Sequence, residues 1–174
     1  MDDRVREALH AFAEGSWLRD DGALKEIYLL GVPEPDLRAR CEAIGLCISD
    51  QAWAEWSLGH RIESCSSFKL ADVNWIVQIY VCLAMHPSNG TFVIELGCQH
   101  KDLFADCHDR PEMLDQVEFV AKKAARLGLH FGARFAVLAA EAPNCESEDP
   151  FSWTDAFVVL APSGPYRVLE HDSL

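Results

Sequence analysis

Cys98, His100, Cys107 and His108 bring two thiols and two imidazoles into one short stretch of the chain, between an apolar run and the start of a helical pattern. Thiolate sulfur and imidazole nitrogen are zinc ligands: four of them close a structural tetrahedron, and three with a bound water make a catalytic site. The pattern C-x-H-x6-C-H departs from the usual paired spacing, because adjacent Cys107 and His108 would have to turn the same way. Cys98 also continues the buried parity of the run before it. These four residues define the alternative reading of the chain, a zinc-binding protein or metal-dependent enzyme, with zinc its only implied cofactor.

Other reaction classes find less support. A thiol nucleophile needs a histidine base and a third group to orient that base. His60, His86 and Cys65 fall in expected loops, but no G-x-S-x-G turn or cysteine-enzyme signature surrounds them. Phosphate-cradling glycine loops and the zinc-deaminase pattern do not occur. Glu95 interrupts an apolar strand pattern, where burial would raise its pKa, yet it shares the parity of Thr91 and Gly97 and is expected to face outward. No catalytic residue is assigned, and a role other than catalysis is expected.

The segment Glu141–Asp155, EAPNCESEDPFSWTD, carries Glu141, Glu146, Glu148, Asp149 and Asp155 with no Lys or Arg, in a chain whose formal net charge is -13. Phe151 and Trp153 stand beside these acids as candidate anchors, since buried aromatics dominate binding hot spots. A second group, Asp102, Asp106, Asp109, Glu112, Asp115 and Glu118, is opposed by Lys101 and Arg110. The leading expectation is a small acidic binding protein, of inhibitor or immunity type, that neutralises a basic protein partner such as a toxin or nuclease. Its residues would be Glu141, Glu146, Glu148, Asp149, Phe151, Trp153 and Asp155. Acids outnumber basic residues 28 to 15, which argues against direct nucleic-acid binding, because phosphate contacts need Lys and Arg clusters.

Several elements must position these groups. Asp2–Glu14 has helical spacing, with Asp2 or Asp3 as cap and Gly15 as stop. Lys25–Val32 is read as a strand, Asp36–Ile44 as a helix ending at Gly45, and Asp50 as the cap of a short helix carrying Trp53 and Trp56. That pair would be a ligand platform or, more simply, core. Gly59–Ala71 is read as irregular. Asn74–Met85 and Thr91–Cys98 alternate apolar and polar residues around the turn cluster His86–Gly90, predicting an antiparallel hairpin. Arg110–Leu127 is the best helix: Asp109 caps it, Pro111 fits its first turn, its charges run acidic to basic, and Gly128 is its stop. Ala133–Ala140, Ala156–Ala161 and Tyr166–Glu170 follow as strands, the last two as a hairpin.

With no β-α-β alternation, this order predicts an α+β fold: a mainly antiparallel sheet of about five strands with helices on one face, residues 1–174 forming a single domain. The length of 174 residues, 49% hydrophobic and 25% charged, suits one core. An acidic N-terminus without an apolar centre is unlike an export signal, and no apolar run is long enough for a membrane helix. A cytoplasmic location without membrane attachment is therefore expected, with the seven cysteines reduced. A homodimer through an exposed sheet edge is compatible with this reading.

Overall fold

The backbone of the computed structural model is described for residues 1–33, 35–45, 48–57, 62–67, 78–85, 91–140 and 149–162, and the side chains for these except 52, 55–57, 62–67 and 78–85. Asp2 starts the first helix, α1 (Asp3–Phe12), by accepting a 2.9 Å hydrogen bond from the Val5 N–H. The helix does not stop at Gly15. It widens into a π-helical turn, Ala13–Trp17, which swings Trp17 fully into the core, where its Nε1–H donates to Ala139 O at 2.8 Å.

Strand β1 (Lys25–Val32) follows, then α2 (Leu37–Ala43), α3 (Asp50–Ser57), β2 (Ile62–Ser67), β3 (Gln78–Met85), β4 (Phe92–Cys98), α4 (His100–Leu103), α5 (Arg110–Phe131), β5 (Phe135–Ala140) and β6 (Ala156–Leu160). Among the described residues the strands form one antiparallel sheet in the order β2-β3-β4-β1-β5-β6. The α+β architecture expected from the sequence is the one observed. β2 occupies part of the stretch read as irregular: IESCSS lacks an apolar alternation, and its pairing with β3 makes it a strand. The turn 86–90 and the strand expected at Tyr166–Glu170 lie outside the described residues.

The helices cover one face of the sheet. Ile27, Leu29, Ile94, Leu96, Ala136, Leu138 and Val159 meet Val5, Leu9, Val117, Val120, Ala124 and Leu127 in a single cluster. A bulge keeps β1 in phase: Gly31, at φ +67, adds the residue that brings Val32 back to the same face as Leu29. The opposite face is buried too, with Tyr28, Leu30, Val93, Phe135, Val137, Ala139 and Val158 packed with Trp153.

α5 begins as its sequence requires. Asp109 accepts from the Glu112 N–H at 2.9 Å and Pro111 lies in the first turn. It runs past Gly128, which is buried inside the helix against Leu160 and Ala136, and ends at Gly132, the residue that takes the left-handed conformation. Gly128 therefore serves close packing, not termination. No helix among the described residues is long and apolar enough to cross a membrane.

Candidate functional site

Strand register decides which charged segments meet. Lys25, the first residue of β1, lies opposite both Cys98, the last of β4, and Ala140, the last of β5. Ala156, which opens β6, lies opposite Ala139, and Asp155 O accepts from the Ala140 N–H at 3.4 Å. One end of the sheet thus gathers the loop before β1, the segment after β4 and the residue before β6. Those segments carry Asp20, Asp21, Asp102, Asp106, Asp109 and Asp155, all exposed. Ala140, which immediately precedes the acidic stretch, ends at the same place.

The nearby cations are partly committed. Lys25 is wholly buried, its ammonium reaching Ser16 O at 3.3 Å and Asp21 Oδ1 at 3.2 Å. Arg110 pairs with Glu14 at 2.6 Å. Asp21 also accepts from the Ala23 N–H; that bond first, and Lys25 second, hold its carboxyl below the ordinary range. Glu118, grouped with these acids by sequence, is occupied elsewhere: it joins α1 to α5 by accepting from Arg6 at 3.1 Å and meeting His10 at 2.8 Å.

The aromatic anchors separate from the acidic end of the sheet and from each other. Asp149 accepts from the Phe151 N–H at 3.1 Å and starts a short 3-10 turn, Pro150–Ser152. Trp153 then turns inward, edge-on to Tyr28 with ring centroids 5.4 Å apart. At 9% exposure it is core, so its expected role as an interface anchor is corrected: a ring next to charges in sequence has covered the second face of the sheet. Phe151 remains 45% exposed, edge-on to Phe135 at 6.1 Å. Phe135 is the first residue of β5, so Phe151 lies about 17 Å along the strand from Ala140 and the acidic end, at roughly 3.4 Å per residue. The stretch 149–155 crosses the sheet instead of gathering at one point. Glu141, Glu146 and Glu148 lie outside the described residues.

The Cys/His set is built differently from a ligand cage. Cys98 is buried and its Sγ donates to Lys25 O at 3.5 Å; burial, and then Asp102, push its thiol up to about 12. Burial also raises the Cys107 thiol, with Glu112 the next cause. His100 Nε2 lies 3.3 Å from Leu18 O, and its ring rests on Phe104 with centroids 4.7 Å apart. His108 is exposed, and its backbone N–H donates to Glu112 Oε2. Among the described residues no three His, Cys, Asp or Glu side chains gather as a metal group.

Sequence reasoning passed over Glu26, a carboxylate only 6% exposed that accepts from the Tyr28 hydroxyl at 2.9 Å. Its position two residues before Tyr28, on the same strand face, was the available signal. Glu95 shares that face, opposite Tyr28 and Cys82 in register, but the face is covered and Glu95 is half-buried there, so it keeps the expected parity without facing open solvent. Trp53 is buried under the Arg38 guanidinium, 6.0 Å from the ring, which supports its core reading. No protein-family model, curated protein or solved structure matches this chain.

Proposed function

We propose that this chain is an acidic binding protein that captures and neutralises a basic protein partner, with the end of the sheet around Asp20, Asp21, Asp102, Asp106, Asp109 and Asp155 as its docking surface. One observation carries the reading: acid-bearing segments far apart in sequence leave the same end of the sheet, because Lys25 lies opposite both Cys98 and Ala140. Charges so grouped reinforce one another's potential within the roughly 10 Å over which salt at about 0.1 M leaves exposed charges coupled. A surface of this kind speeds encounter with a cationic partner by about 10-fold to 1,000-fold. Phe151 falls toward the margin of such a footprint and contributes to retention where the partner extends along β5 and β6.

The test begins with proteins retained on the immobilised chain from extract of its native host. Each is then purified, and binary association is timed against salt. With the cognate partner, the association rate at low salt falls about tenfold or more in the triple variant Asp102→Lys, Asp106→Lys, Asp155→Lys, while a reversal of exposed Glu42 leaves it unchanged. Equal rates for the triple variant and the parent would remove the docking surface from the reading.

A further inference from the structure

Two segments leave this end of the sheet with more acids than basic residues: 18–24 before β1, with Asp20 and Asp21 against Arg19, and 99–109 after β4, with Asp102, Asp106 and Asp109 against Lys101. What holds them together is the more informative question. We infer that His100 is a positioning residue that staples the first loop to α4 and so keeps both loops in one surface; its bearing on docking rests on the function proposed above.

The geometry of the ring is specific. Nε2 lies 3.3 Å from Leu18 O, a carbonyl that can only accept, so this nitrogen carries the hydrogen and donates it. The opposite nitrogen, Nδ1, is 4.0 Å from Asp20 Oδ1, on the acid-bearing limb of the same loop. Phe104, one turn along from His100, packs on the ring and fixes its plane. The side chain is only 14% exposed. The imidazole, carried by the first residue of α4, is thus bonded to the base of the loop at Leu18 O, with Asp20 close by but not bonded to it.

The other limb of the loop is tied separately, through Asp21 to the Lys25 ammonium and the Ala23 N–H. With both limbs fixed, Asp20 and Asp21 are presented in place before a partner arrives, and less ordering entropy is lost on binding. With the His100 bond cut, the base of the loop keeps the Leu18 and Arg19 N–H bonds to Ala13 O and Ser16 O, and the stretch from Asp20 to the Lys25 tether loses its hold on α4 and loosens. This role also accounts for a histidine that the ligand pattern had grouped with Cys98: its donor points to Leu18 O and not toward that thiol.

The experiment uses the full chain, labelled with nitrogen-15, and a synthetic deca-lysine peptide as the cationic probe at low salt. In the parent protein, amides of Arg19–Gly22 and of Lys101–Asp109 shift together along one binding curve. His100→Phe keeps a ring against Phe104 but loses the donor: affinity falls about three- to tenfold, the two loops titrate apart, and amides 19–23 exchange faster with solvent. His100→Gln, which retains a donor of suitable reach, behaves as the parent. Should the Phe variant not fold, His100→Asn, too short to reach Leu18 O, gives the same comparison. Joint titration and unchanged exchange in the donor-deficient variant would overturn the staple and leave the docking surface standing. Failure of the peptide to shift either loop of the parent would instead remove the docking surface.

Discussion

Replacing Gly128 by Ala opposes two effects of known size, and the structure decides between them. In an open helix interior, Gly→Ala stabilises by about 1 kcal/mol through backbone entropy and propensity. Here the added Cβ would sit 2.6 Å from Leu160 Cδ2 and 3.1 Å from Ala136 Cβ. Leu160 can rotate only within a buried cluster, and the Ala136 Cβ is fixed to the β5 backbone, so relief requires α5 to lift from the sheet. Overpacking of this kind costs about 1–3 kcal/mol. The net expectation is destabilisation of about 1 kcal/mol. At a urea slope of about 2 kcal/mol/M, the unfolding midpoint falls by about 0.5 M with the slope unchanged. The double variant Gly128→Ala, Leu160→Ala provides the internal check, because removing the Leu160 methyls relieves the closer contact and the two costs add to less than their sum. A Gly128→Ala variant more stable than the parent would show that the helix and sheet are not in contact there, and the account of α5 packing would fail.

Two further outcomes follow from burial. Trp153→Ala lowers stability by about 3–5 kcal/mol, as expected for a large core aromatic, whereas half-exposed Phe151→Ala changes it by less than about 1 kcal/mol; comparable losses in urea unfolding would contradict the placement of the two rings. Cys41 and Cys98, both raised to about 12 by desolvation, stay protonated in the folded chain after their unfolded counterparts begin to ionise near pH 9. The unfolded state then holds fewer protons than the native one, so stability declines as pH climbs from about 9 toward 12. At pH 8, mass spectrometry after brief iodoacetamide treatment finds both thiols unmodified until urea is added; alkylation of the native protein at the unfolded rate would refute their burial.

Periodicity and capping carried much of the fold. Lys25–Val32 was legible as a strand by its apolar run, and Asp109 with Pro111 located the start of α5, because these signals are local. Glycine was less informative: as a stop signal it misplaced the ends of α1 and α5. Gly15 lies within the π turn, and Gly128 is where a β-carbon would strike the sheet. β2 was hidden because its apolar and polar residues do not alternate, and pairing with β3 supplies what pattern did not. The candidate site was half legible. Its acids could be counted from composition, but which of them meet depends on Lys25 lying opposite Cys98 and Ala140, a non-local fact. Trp153 failed as an anchor because adjacency in the chain carries no information about which side of the sheet a ring takes.

The position of β1 has a bearing on how the molecule is made. An eight-residue strand near the N-terminus occupies the middle of the sheet, hydrogen-bonded on both sides to strands that come much later, β4 and then β5. At translation rates of about 5–20 residues per second, it leaves the ribosome seconds before either neighbour exists. During that interval it is a nascent apolar segment with two unsatisfied rows of amides and carbonyls, the kind of template that recruits other chains. The interval closes only when β5 emerges to pair with the second edge of β1, which makes the sheet's central strand the one that waits longest for its partners.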